Sequence, residues 1–299
     1  MSKLKAFSYF GGKYKILEEI YQYLPPKTDI KHFVDVFGGS MTVALNLPYA
    51  KIPVTACDIN QDIINFFTVL RDNRDKLIES LLLTPCSEAE YKAAWEGMQY
   101  GSTAVERARC FYVRAQMGFY GLAMQRTKRG KSIGFQASTK TFNCTGRADI
   151  VSRWDNCIER LFNIAIAIRN KVQIVSSSYE KTISRFDQSE AFFYVDPPYN
   201  PASRSATGEY KHDFTEKDHR DLAKILNLIK GRAMVSGYNG SLMNELYTKR
   251  GWTATKLKNQ KFSNLTRKEL AEEKQEWIWT NYPIIKTKSN KQLKFFNQQ

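Results

Sequence analysis

Nothing in this chain of 299 residues approaches the length of apolar run needed to span a bilayer. The opening residues, from Met1 through Phe7, lack an apolar signal-peptide stretch. A cytoplasmic location is the expectation that follows. The cysteines are few, odd in number and scattered, at Cys57, Cys86, Cys110, Cys144 and Cys157. No pair sits at metal-ligand spacing, which argues against a disulfide framework or a structural zinc site and for reduced, mostly buried thiols. No Gly-x-Gly-x-x-Gly turn is present, so an ordinary dinucleotide dehydrogenase is excluded. The glycine pair Gly38-Gly39 has no Gly-Lys-Ser/Thr ending, so it is not the phosphate loop of nucleoside triphosphatases. There are no internal repeats. Acid is also scarce: 30 acidic residues face 45 basic ones, for a formal charge of +15. That excess favours capture of polyanions, although a merely soluble basic protein would show it too.

What is present is an alternation. Short apolar runs at 33–37, 54–57, 172–175, 192–195 and 233–236 read as strands covered on both faces. Helix-period segments at 13–23, 40–47, 61–83, 150–169, 215–230 and 239–250 lie between most of them. The pattern predicts an α/β fold with a mostly parallel sheet and helices on both sides. Two later runs, 252–257 and 277–280, have no full helix between them and are expected to close the sheet as an antiparallel pair. The alternation breaks over 67–148. There, helical patterns at 87–98 and 103–119 precede a polar, glycine-dotted, basic segment. The expected organisation is therefore a catalytic domain from 1–66 and 149–299, interrupted by a mainly helical insertion over 67–148. The lysine-rich tail from residue 286 is expected to be frayed.

Three segments carry the chemistry. In Val34-Asp35-Val36-Phe37-Gly38-Gly39-Ser40 a strand ends in two glycines and a helix begins, which lets backbone approach a ligand and offers free N–H donors. A plain tight turn would give the same pattern. The next strand ends at Asp58-Ile59-Asn60, where an acid can accept hydrogen bonds from ribose hydroxyls or, alternatively, cap the helix that follows. Together these two make a nucleoside pocket the better reading. The segment Tyr9-Phe10-Gly11-Gly12-Lys13 adds aromatics suited to an adenine ring or a cationic sulfonium, and a lysine suited to a ligand carboxylate.

The most telling residues are Asp196-Pro197-Pro198-Tyr199, at the carboxyl end of the 192–195 run. An exocyclic amine on a purine is a poor nucleophile because its lone pair is delocalised into the ring. Two acceptors on its protons, the Asp196 carboxylate and the Pro197 carbonyl, localise that lone pair. The prolines preorganise the loop, and Tyr199 can stack on the base. A solvated Pro-Pro turn is the plainer alternative, but such a turn needs no flanking acid and aromatic. The arrangement points to methyl transfer onto an exocyclic amine.

Two other features lead nowhere. His212, Asp213, Asp218 and His219 suggest metal ligands. However, Thr215-Glu216-Lys217-Asp218 has the form of a helix capping box, and no metal is expected. Cys86 follows a helical leucine run, the wrong setting for an activated thiol.

At this point the chain resembles the Dam-type, alpha-group adenine-specific DNA methyltransferases along most of its length. The residues that carry the likeness are Tyr9 to Lys13, Val34 to Ser40, Asp58 to Asn60, Ser178-Tyr179-Glu180, Asp196 to Tyr199 and the run from Glu276 to Tyr282. The resemblance implies a Rossmann-like, S-adenosylmethionine-dependent methyltransferase fold acting on the N6 amino group of a flipped-out adenine in double-stranded DNA. It implies cofactor contacts from Tyr9, Lys13, Asp58 and Asp196, with base contacts from Asp196 and Tyr199. The glycine turn with Ile59, Phe10 and Gly12 completes the expected cofactor pocket. The insertion would be the target-recognition domain. Its Phe119-Tyr120-Gly121-Leu122 and its basic run of Arg126, Lys128, Arg129 and Lys131 resemble the family's DNA-reading hairpin. After Gly130 the likeness lapses, so no recognition sequence is carried over. An aspartate at the first catalytic position favours adenine over cytosine N4 or RNA substrates. An inert DNA-binding relative is the alternative from another class. A monomer suffices for such chemistry, and a cognate restriction endonuclease is a conceivable partner.

Overall fold

The structure, a computed structural model, describes residues 3–9, 11–96, 102–118, 134–137, 149–198, 214–257 and 275–284. Its centre is a seven-stranded sheet in the order β3-β2-β1-β4-β5-β7-β6. The strands are β1 (His32–Asp35), β2 (Val54–Asp58), β3 (Val172–Ser176), β4 (Ala191–Val195), β5 (Arg232–Tyr238), β6 (Thr253–Lys256) and β7 (Glu276–Thr280). β1, β2, β3, β4 and β5 pair in parallel. β7 runs antiparallel to both β5 and β6. All the expected strands are present, and the two late ones form the antiparallel closure.

The strands' side chains explain the two-sided cover. Along β4, Phe192 and Tyr194 enter one core, whereas Ala191, Phe193 and Val195 enter the other. β1 divides in the same way, with Phe33 on one side and Val34 on the other. That is the two-residue alternation of a strand buried on both faces.

Ten helices occur among the described residues: α1 (Leu17–Tyr21), α2 (Thr42–Leu45), α3 (Gln61–Asp72), α4 (Arg74–Leu82), α5 (Glu88–Glu96), α6 (Ala104–Met117), α7 (Asp149–Lys171), α8 (Tyr179–Phe186), α9 (Glu216–Leu226) and α10 (Ser241–Leu246). The helix expected over 61–83 is two helices. Asn73, at φ −132°, ends α3 and starts α4, as suits a residue whose side chain competes with helical backbone. The segment expected as a helix over 13–23 begins instead as a 3-10 turn at Lys13–Lys15. α8 was not anticipated. The capping box of α9 is present: Thr215 accepts from the Asp218 amide while Asp218 accepts from the Thr215 amide.

One face of the sheet carries an aromatic core in which Phe7, Phe66, Phe67 and Phe111 meet, with ring centroids 5.1–5.7 Å apart. Tyr112 stacks on Phe66 at 5.3 Å. The helices of 67–118 are therefore sewn into the same core as the sheet: α3 packs on α6, and α4 packs on α6 and α7. The opposite face is covered by α8, α9 and α10, with Trp279 and Tyr247 at the centre of that core. Cys57 and Cys110 are buried, and Cys86 and Cys157 are half-buried free thiols. Burial pushes the thiols of Cys86 and Cys110 up to about 11 and those of Cys57 and Cys157 up to about 12. Cys144 lies outside the described residues.

Candidate active site

A cleft of about 270 Å3 opens at the carboxyl ends of β1, β2 and β4. In this strand order the chain runs from β1 to β2 and β3 on one side and then crosses back from β3 to β4 on the other side of β1, and the reversal between β1 and β4 is where open α/β sheets bind ligands. Its wall brings together Tyr9, Gly12, Lys13, Asp35, Phe37, Gly38, Gly39, Ser40, Asp58, Ile59, Asp196, Pro197 and Pro198. These are all the expected cofactor and catalytic residues that the structure describes. Phe10 and Tyr199 lie outside the described residues, as do Tyr120, Arg126, Lys128, Arg129 and Lys131.

The glycine turn is held by backbone geometry. Gly39 has φ +49°, a conformation that glycine adopts without penalty. A Cβ there would lie 3.1 Å from the Tyr9 ring, so the turn and the aromatic are in contact. Gly38 donates to the Cys57 carbonyl at 2.6 Å, and a Cβ on it would stand 3.0 Å from that same oxygen. Asp58 ties the turn to β2: one carboxylate oxygen accepts from Gly39 N and the other from Asn60 N, each at 2.8 Å. Asp58 is not the cap of α3. That part belongs to Asn60, whose side chain accepts from the Asp62 amide at 3.0 Å.

The second group gathers on Asp196. Lys13 Nζ lies 2.8 Å from Asp196 Oδ1, 3.3 Å from Glu276 Oε1 and 2.9 Å from the Gly11 carbonyl. Three N–H donors thus meet three acceptors of the protein itself. The Lys13 side chain is 4% exposed. Burial works against its charge, yet the Asp196 and Glu276 carboxylates outweigh that cost and hold the ammonium well above the usual lysine range. Although Lys13 lines the cleft, its charge is spent on Asp196 and Glu276. Ser236 Oγ also donates to Asp196 Oδ1, at 2.8 Å.

Asp35 is the odd member. It is buried, and its Oδ1 has no hydrogen-bond partner among the described residues. Burial pushes its carboxyl well above the usual range, and the charges of Asp196 and Asp58 push the same way. An amide from Ala44 and the Lys13 charge offset this only in part. An unmatched polar atom in a cleft wall suits a ligand that brings its own donor.

An aromatic cluster closes another wall. Phe37 stacks with Tyr179 at 5.8 Å, and Phe214 meets both rings at 5.7 Å. Phe214 went unforeseen, as did the parts played by Thr42, Val43 and Tyr194 in the lining. Asp218, foreseen only as a cap, also reaches the cleft. Nothing in the local sequence distinguishes Phe214 from a core phenylalanine. Tyr194 belongs to an all-buried strand. His219 packs edge-on against Phe214 at 4.7 Å, and no cluster of metal-ligating side chains forms among the described residues. His212 and Asp213 lie outside those residues.

With this geometry in hand, comparison with known proteins gives a consistent result. The sequence profile of the D12 class N6 adenine-specific DNA methyltransferases matches residues 9–264. The DNA adenine methylase of Vibrio cholerae is 27% identical over 232 residues, covering 75% of this chain and 76% of that one. The DNA adenine methylase of Escherichia coli K12 is 25% identical over 284 residues, covering 91% and 95%. A type II methyltransferase of Methanocaldococcus jannaschii, M.MjaIII, is 25% identical over 260 residues, covering 79% and 85%.

Proposed function

The chain belongs to the D12 class of N6 adenine-specific DNA methyltransferases, and we propose that it uses S-adenosylmethionine to methylate an adenine rotated out of duplex DNA into the cleft. The observation that carries this reading is the meeting of Asp196, Pro197 and Pro198 with the glycine turn and Asp58 in one cleft. Bound there, S-adenosylmethionine supplies a methyl group on an electron-poor sulfonium. The residues fit it. The Asp58 carboxylate at the cleft wall would accept from the ribose hydroxyls, and the unmatched oxygen of Asp35 would accept from the amino group of the methionine moiety. Tyr9, Phe37 and Tyr179 offer rings for the adenine, and Gly38 and Gly39 let backbone come close. The acids around the cleft outnumber its buried lysine, which favours a cation.

The protein's part in the chemistry is orientation and fixed dipoles. The target base cannot be reached inside the stack, so it is extruded. Tyr199 stacks on its face. Asp196 accepts one amino proton and the Pro197 carbonyl the other, which draws the lone pair out of the ring and aims it. The amino group sheds one proton as it takes the methyl, and Asp196 is the acceptor within reach. Lys13, held between Asp196 and Glu276, keeps that carboxylate in place.

DNA is read by the insertion, assigned to 67–148, with Tyr120, Arg126, Lys128, Arg129 and Lys131 meeting phosphates and base edges. The enzyme works as a monomer on cytoplasmic DNA, and that role leaves room for a cognate nuclease, as in a restriction–modification pair. Among the described residues no helix is long and apolar enough to cross a membrane. The test is to incubate the protein with unmethylated duplex DNA and labelled S-adenosylmethionine, then identify the modified nucleoside by mass spectrometry. N6-methyladenine is expected from the native chain and none from Asp196→Ala. N4-methylcytosine, or full activity in Asp196→Ala, would overturn the reading.

A further inference from the structure

The Asp196 carboxylate has two oxygens, and the fold treats them differently. Oδ1 accepts from Lys13 Nζ and from Ser236 Oγ, both at 2.8 Å. Two donors fill the lone-pair sites of that oxygen. Among the described residues, Oδ2 accepts no hydrogen bond.

Behind Ser236 stands a second hydroxyl. Tyr194 Oη lies 3.1 Å from Ser236 Oγ, and both side chains are buried. A serine hydroxyl carries one proton. Because Ser236 gives its proton to Asp196, Tyr194 must be the donor in the pair. The order is then fixed: Tyr194 donates to Ser236, and Ser236 donates to Asp196. Burial, with the Asp196 charge adding to it, pushes the Tyr194 phenol well above its usual range, so it keeps the proton this order needs. Sheet register builds the chain. Tyr194 pairs with Met234 and Val195 with Val235, so Ser236 on β5 stands level with Asp196 at the end of β4. Tyr194 and Asp196 are two apart and share a face, with Ser236 beside them.

We propose that Ser236, backed by Tyr194, is a positioning residue for methyl transfer: it pins Asp196 through Oδ1, so that Oδ2 is the oxygen presented to the amino group of the base. Lys13 alone fixes one point of the carboxylate with a flexible four-carbon arm. The second, short donor from a central strand removes the remaining rotation about the Asp196 side chain. No part of Ser236 lines the cleft, so it touches neither base nor methyl donor.

The inference rests on the amine-methylating role of Asp196, and its test separates the two. Single-turnover methyl transfer to duplex DNA is measured for the native chain, Ser236→Ala, Tyr194→Phe and the double variant, alongside calorimetric affinity for S-adenosylmethionine and thermal melting. Ser236→Ala is expected to slow transfer by roughly tenfold to a hundredfold, the scale of a misplaced reacting group, while cofactor affinity and melting stay near native. Tyr194→Phe is expected to slow it less. The double variant should be no slower than Ser236→Ala, because links in series do not add. Native-rate transfer by Ser236→Ala, or additive losses in the double variant, overturns the inference while leaving the function standing. If Ser236→Ala does not fold, Tyr194→Phe decides: a native transfer rate there overturns the relay. A native chain that makes no N6-methyladenine overturns both.

Discussion

Lys13 and Asp196, 183 residues apart in sequence, form a 2.8 Å ion pair that joins the first turn of the chain to the end of its central strand. Glu276, from β7, completes the bridge at 3.3 Å. Replacing Lys13 by Met leaves two carboxylates facing each other without a counter-ion. The expected cost is toward the low end of about 3–5 kcal/mol, since the Asp196 and Glu276 side chains keep 19% and 16% exposure. Adding Glu276→Gln should recover part of that loss, and urea denaturation of both variants checks it. The linkage has a clear sign. A lysine raised in the folded state contributes fully below its unfolded value of 10.5 and loses the contribution only as pH climbs through the higher folded value. The stability gap between native and Lys13→Met should therefore stay flat across neutral pH and narrow only in strong alkali.

Asp35 should behave in the opposite sense. Its carboxyl is raised by burial, so the folded state holds a proton that the unfolded state gives up above 3.8. Stability owed to this group is thus lost as pH rises from there toward the folded value. Asp35→Asn mimics the protonated form. It should match the native chain in stability below about pH 3.8 and exceed it increasingly toward neutrality, while binding S-adenosylmethionine more weakly. Denaturation across that pH range with calorimetry at neutral pH is the check. A neutral-pH stability below native would refute the assignment.

These two residues also show how much could be read from the chain alone. The strands were legible because β4 and its neighbours are apolar on both faces, and the glycine turn was legible because its spacing is local. Asp196 stood out because an acid beside two prolines serves no packing purpose. The Lys13–Asp196–Glu276 bridge was not legible, since it joins segments from opposite ends of the sequence. Ser236 was hidden for a related reason: in Ala233-Met234-Val235-Ser236 it looks like the end of an ordinary strand, and only register brings it level with Asp196. Phe214 follows a stretch without periodicity, so nothing marked it as a wall of the cleft.

Gly39 offers a test of the pocket's shape. At φ +49° an alanine is strained, costing about 1–2 kcal/mol, and its methyl would stand 3.1 Å from the Tyr9 ring. Gly39→Ala is expected to displace Tyr9 and weaken cofactor binding. Removing the ring as well, in Gly39→Ala with Tyr9→Ala, should relieve the clash but leave the backbone strain. Melting temperature and cofactor affinity of the single and double variants separate the two contributions.

The basic segment should declare itself through salt. Arg126, Lys128, Arg129 and Lys131 concentrate charge where few acids are near in sequence, in a chain already at +15. Each phosphate contact releases counter-ions, so the logarithm of DNA affinity falls with the logarithm of salt by about 0.9 per contact. Replacing Arg126, Lys128, Arg129 and Lys131 one at a time by Ala should flatten that slope by about 0.9 for each that meets a phosphate. A side chain that reads a base edge behaves differently: its loss costs about 1–3 kcal/mol at one sequence position and relaxes specificity there. Titrations of duplex DNA over a range of salt, repeated with single-base changes in a methylated site, sort the four residues between these roles. An unchanged slope and an unchanged site preference in all four variants would move the DNA-reading surface elsewhere on the protein.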